Sequence, residues 1–157
     1  MNIWDSLFSK ISMTFLISMI PVIELRGAIP IATAHGLALW LSVPTAIVGN
    51  LVPVPFIIIF IRRIFLRLKD GWLKTLVGKW ECRASQKSGF VQKYAFWGLF
   101  ILVAIPLPGT GAWTGALIAA MLNMRLKRAL PAIALGVAAA GGIVTLVTVS
   151  AGTLLFT

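Results

Sequence analysis

Apolar residues run almost without interruption from Leu7 to Leu41, and again over Val43 to Ile61, Tyr94 to Met124 and Ala129 to the end of the chain. Between the second and third runs lies segment 62–93, where cations alternate with aromatic and aliphatic residues. One membrane crossing takes roughly 20 apolar residues, so the second and fourth runs each predict a transmembrane helix, over 43–61 and 129–155. The first and third are longer and carry helix breakers near their centres: Pro21 to Pro30 in one, Pro106-Leu107-Pro108-Gly109-Thr110-Gly111 in the other. Proline removes a backbone donor and clashes with the preceding turn, and glycine adds conformational freedom. Each stretch therefore predicts two half-helices meeting at a turn, a re-entrant hairpin over 7–41 and another over 94–124.

The punctuation recurs. Ile20-Pro21 and Gly27-Ala28 match Ile105-Pro106 and Gly111-Ala112, while Pro44 and Gly49 match Pro131 and Gly136, a shift of 84 to 87 residues. Four pairs in one order argue for an internal repeat, with 1–61 and 94–157 as its halves. Charge sets their orientation, because loops rich in Lys and Arg stay cytoplasmic. If 94–124 enters the membrane and returns, the nine cations of 62–93 and the cluster Arg125, Lys127 and Arg128 share the cytoplasmic face, leaving Lys10 outside. The expectation is an all-α integral membrane protein built as an inverted repeat, whose broken tips meet near the midplane, where such carriers hold substrate.

Composition agrees. With 59% hydrophobic and 11% charged residues and a mean hydropathy of +0.98, the chain departs from soluble domains, in which about 25% of residues are charged. Residues 1–157 leave room for one membrane domain. The net charge of +10 is concentrated in 62–93, which reads as a topology signal with attraction for anionic lipid rather than a nucleic-acid surface. Phe65, Leu68, Trp72, Leu76 and Trp80 recur there at helical spacing, as in a helix lying in the interface. Cys82 is the only cysteine, so it has no intramolecular disulfide partner and reads as a free cytosolic thiol. The N-terminus fits a signal peptide poorly: Asp5 precedes a single Lys10, and the apolar stretch runs on, interrupted by Glu24 and Arg26. No nucleotide loop, metal-ligand cluster or Ser/His/Asp arrangement is present, which argues against an enzyme, a cofactor or ATP drive.

Glu24 and Arg26 are the charges at the centre of the first apolar stretch, whose other charge is Lys10 near its start. A charge at bilayer depth costs at least about 2.5–3.5 kcal/mol and normally faces a protein interior or a wet cavity. Two positions apart, they point about 200° apart on a helix, so a mutual salt bridge requires a non-helical tip. Glu24 reads as the proton or cation site and Arg26 as a planar fork for a carboxylate or phosphate, in preference to a buried pair that pins the hairpins together. Gly27 and Pro30 belong to the same tip. In the second tip, Gly109, Thr110, Gly111, Thr114 and Gly115 carry two readings of equal weight: backbone amides and hydroxyls at a half-helix N-terminus that cradle an anion, or small residues that let helices approach closely, as in Gly111-x-x-x-Gly115; Pro106, Pro108 and Trp113 belong to the same tip and line the same path. Asn50 is either interhelical glue or a cavity-lining amide. His35 reads as an interfacial histidine rather than a proton relay.

At the motifs Glu24-Leu25-Arg26-Gly27-Ala28-Ile29-Pro30 and Pro106-Leu107-Pro108-Gly109-Thr110-Gly111-Ala112-Trp113 the chain resembles the small multidrug export protein family, which is distantly similar to the DedA/VTT membrane proteins. The resemblance implies two facing re-entrant hairpins with following spans in the cytoplasmic membrane of a prokaryote. It also implies movement of lipid phosphates such as undecaprenyl phosphate, linked to protons. DedA-like proteins usually carry a further acid in hairpin one and arginines in hairpin two; here hairpin two has no charge. The expectation is a proton-coupled translocase for a polyprenyl or phospholipid phosphate. The alternatives are an exporter of lipophilic cations using Glu24 as exchanging carboxylate and a structural membrane protein without transport. A homodimer or larger assembly is expected, because two spans and two hairpins wall in little space.

Overall fold

The computed structural model describes residues 6–67, 88–107 and 110–155. All the regular structure described is helical: α1 (Leu7–Met19), α2 (Glu24–Ala34), α3 (Leu39–Leu51), α4 (Pro53–Arg67), α5 (Ser88–Ala104), α6 (Ala112–Met121) and α7 (Leu126–Leu155). The interfacial helix expected within 62–93, with Cys82, falls mostly outside the described residues, as do Pro108 and Gly109.

The breaks fall at the prolines. Ile20, the residue before Pro21, is extended at φ −72° and ψ 127°, as the ring of a following proline demands, and α1 stops there. Before Pro106, α5 stops at Ala104. At 1.5 Å per residue, α1, α2 and α6 are about 15–20 Å long, too short for a hydrocarbon layer of about 30 Å. Two apolar stretches of 26 residues, Leu39–Ile64 and Leu126–Ala151, are long enough to cross. The first joins α3 to α4 through Val52. Both long helices begin ahead of the expected boundaries, so 39–41 belong to α3 rather than to the preceding hairpin.

Hydrogen bonds around the second arm of each half recur 87 residues on. At the end of α2 the Leu37 N–H donates to the Ala32 carbonyl and the Gly36 N–H to Thr33; at the end of α6 Met124 donates to Ala119 and Asn123 to Ala120. This is the Schellman pattern, and it places Gly36 (φ +77°) and Asn123 (φ +51°) in the left-handed region, which glycine enters freely and asparagine more readily than most residues. The next helix then starts alike, with Ser42 donating to Ala38 and Ala129 to Arg125. Packing repeats too. A Cβ on Gly49 would lie 2.6 Å from the Phe15 carbonyl oxygen of α1, and one on Gly136 would lie 3.0 Å from the Phe100 carbonyl oxygen of α5. Each first arm thus lies flush on its own long helix. Each second arm also packs on the other half's long segment, α2 on α7 and α6 on α4.

Alanines such as Ala28, Ala32, Ala46, Ala112, Ala116 and Ala132 make up half of the buried apolar residues described, beside larger ones such as Leu25, Ile29, Ile58 and Ile133. Large apolar residues such as Phe8, Val22, Trp40, Phe56 and Leu146 point outward. A water-soluble domain buries its large side chains, whereas helices in lipid gain by close backbone approach over small ones. That distribution is what an apolar solvent selects.

Candidate functional site

The site forms where the two tips meet. Glu24 opens α2 with φ +50°, a left-handed conformation that costs a residue with a Cβ about 1–3 kcal/mol and persists only where its surroundings hold it. The side chain is 6% exposed. Its carboxylate lies directly against Gly111, so closely that a Cβ there would occupy the same space, and the backbone amide of Trp113 reaches it. Gly111 is the N-cap of α6, which has no side-chain cap and no acid in its first turn. The first amides of a helix lack internal partners and carry a partial positive charge. Glu24 supplies the missing anion from the opposite hairpin.

Arg26 does the converse. Its Nη1 donates to the Leu107 carbonyl, and its Nη2 donates to the Ile105 carbonyl at 3.4 Å and to Thr110 Oγ1 at 3.3 Å. These carbonyls follow the end of α5, whose last turn has no basic residue; a cation there complements the negative end of the helix. The Thr110 hydroxyl sits 2.8 Å from the Ile105 oxygen and 2.9 Å from the Leu107 oxygen, and accepts the Leu107 N–H at 3.3 Å. In return, Trp113 Nε1 donates to the Met19 carbonyl at the end of α1, at 3.2 Å. In the 87-residue register Glu24 corresponds to Gly111 and Arg26 to Trp113. The first pair touch each other, and the second pair make reciprocal bonds to the broken end of the facing hairpin.

Of the residues singled out from sequence, Glu24, Arg26, Thr110, Gly111 and Trp113 converge here. Pro30 and Pro106 line a groove of about 620 Å³ that runs from Arg26 between α2 and α7, closed along α7 by Ile143, Val147 and Thr148. Gly27 lies against the Ile23 side chain, where a Cβ would collide, and Thr114 is half-buried in the first turn of α6. Asn50 stands apart on α3, fully buried. His35 ends α2 on the exposed surface. At the second tip the start of α6 faces the Glu24 carboxylate of the same chain. Sequence reasoning missed the main-chain acceptors at Met19, Ile105 and Leu107, which have no side-chain signature, and the α7 wall of the groove, where a uniformly apolar helix offers no mark.

These features define an all-helical membrane protein, with two apolar helices long enough to cross and two broken pairs locked together by charge on backbone. The family model described as Putative small multi-drug export protein matches residues 24–143, which takes in Glu24 and Arg26, the second tip, and α2 through most of α7. The chain belongs to that family, whose description is of an exporter, a transporter rather than an enzyme. No curated protein and no solved structure matches the chain.

Proposed function

We propose that the protein is a secondary transporter for an amphipathic anion of the lipid-phosphate class, with Arg26 as the headgroup cation and Glu24 as the proton-exchanging acid. The observation that carries this reading is the groove between α2 and α7. It is lined mainly by apolar side chains, and the charge it presents is Arg26, while the Glu24 carboxylate is turned away to the start of α6. An apolar trough ending in a guanidinium suits a chain with a negative head. Arg26 Nε is buried and has no acceptor among the described residues, so it becomes a donor for a phosphate oxygen once the tips move apart. Protonating Glu24 would weaken its hold on the α6 amides, since a neutral acid is a weaker partner for the helix dipole, and so would couple proton uptake to separation of the tips.

The same reading takes the two halves as an inverted repeat of the DedA/VTT kind, with re-entrant hairpins followed by one span each, in a prokaryotic cytoplasmic membrane. The recurring hydrogen bonds and the exchange of second arms between halves support it. Segment 62–93 then faces the cytoplasm and its cations meet anionic lipid, and a second copy of the chain completes the wall of the path.

The test is transbilayer movement of a fluorescent prenyl phosphate and of a lipophilic dye cation, in liposomes holding wild type, Arg26→Ala or Glu24→Gln under an imposed pH gradient. The expected result is prenyl phosphate movement that Arg26→Ala abolishes and Glu24→Gln uncouples from pH. Dye movement that needs Glu24 but not Arg26 would establish a cation exporter in its place.

A further inference from the structure

Asn50 is fully buried, and neither its Oδ1 nor its Nδ2 has a hydrogen-bond partner among the described residues. It lies near the middle of the span Leu39–Ile64, at the depth where lipid can offer no partner. Two neighbouring carbonyls lose their regular helical donors: Pro53 and Pro55 lack the N–H groups that would bond the Gly49 and Leu51 carbonyls in a regular helix. Three polar groups thus cluster within three consecutive residues at mid-membrane.

Packing does not account for the amide. In the 87-residue register Asn50 corresponds to Val137, which is also fully buried, so the same place in the other half is filled by an apolar side chain. Its neighbours one turn away, Ala46 and Val54, are fully buried and apolar as well. A polar group kept without a partner where valine fits is satisfied in some other arrangement of the chain, because an unpaired buried amide lowers the stability of whichever state contains it.

We infer that Asn50, with the Gly49 and Leu51 carbonyls, is a second polar station on the transport path, closed in this state and open to water or to a hydrogen-bonding headgroup in another. It rests on the reading of the chain as a carrier and extends that reading from the tips to the bend between α3 and α4. Tip separation would be the step that exposes it, since α3 packs on both α1 and α2.

The experiment is reaction of Asn50→Cys with a charged, water-borne methanethiosulfonate reagent in a Cys82→Ser background, beside Ala46→Cys and Val54→Cys. A carrier whose open state is populated at about 0.1–10% would label at position 50 at that fraction of the rate of an exposed thiol, with positions 46 and 54 unreactive. Labelling at 50 no faster than at 46 and 54 overturns the inference. A second variant stands even if the cysteine variant misfolds: Asn50→Val is expected to melt at a higher temperature than wild type while losing transport, and unchanged transport in it would equally overturn the inference. The two readings fail separately. Intact prenyl phosphate movement in Arg26→Ala with labelling at 50 removes the anion mechanism alone, whereas no labelling at 50 in a protein that moves the anion removes the second station alone.

Discussion

Gly111→Ala puts the contact between the tips to a quantitative test. The added methyl falls on the Glu24 carboxylate, so either the carboxylate leaves the amides of α6 or the two hairpins move apart. Forcing a methyl into a packed site costs about 1–3 kcal/mol, and losing the anion that caps a helix costs about 0.5–2 kcal/mol. As alternatives they predict a loss of about 1–3 kcal/mol. For a chain of this size each kcal/mol lowers Tm by about 2–4 °C, so thermal unfolding in detergent should shift down by about 2–12 °C. The decisive measurement is the cycle with Glu24→Ala. Removing the carboxylate vacates the space the methyl needs, so Gly111→Ala should cost little in that background, giving a coupling of about 1–3 kcal/mol. If Gly111→Ala lowers Tm equally with and without the Glu24 side chain, the two residues do not meet and the account of the site is wrong.

Two further outcomes follow from the packing and the charge pattern. Gly49→Ala and Gly136→Ala each press a methyl onto a backbone carbonyl of the neighbouring arm and should cost about 1–3 kcal/mol, whereas Gly142→Ala, with nothing near its added Cβ, should leave Tm unchanged; equal effects at all three would show that the arms do not pack as described. With the second pair re-entrant, Arg125→Cys in a Cys82→Ser background should react with an impermeant thiol reagent only from the side that also exposes 62–93, and reaction from the opposite side would show that 94–124 crosses the membrane.

Much of the architecture is legible in the prolines. Pro21 and Pro106 end α1 and α5, and Pro44 with Pro131 and Gly49 with Gly136 mark the register in which the hydrogen bonds recur. The match of Gly27-Ala28 to Gly111-Ala112 is displaced by three residues from that register. The second tip, 105–111, is longer than the first, 20–23, and two small-residue dipeptides look alike wherever they fall. Glu24 and Arg26 were conspicuous as charges in an apolar run. Their separate destinations were not, because each takes its partners from backbone groups whose position depends on the fold and not on the residue type. Asn50 could be noticed from sequence as a polar residue beside prolines, but that its amide lacks partners depends on how α3 is packed.

Both charges belong to one hairpin, and the groups that receive them are mostly main chain of the other. An acceptor made of backbone persists through any side-chain replacement that keeps its local fold. Substitution at Ile105 or Leu107 therefore changes what surrounds the carbonyl without deleting it, while Gly111 is constrained by volume alone. The two tips thus face different rules of change: the first is held to particular chemistry at Glu24 and Arg26, and the second, apart from the Thr110 hydroxyl, to a shape.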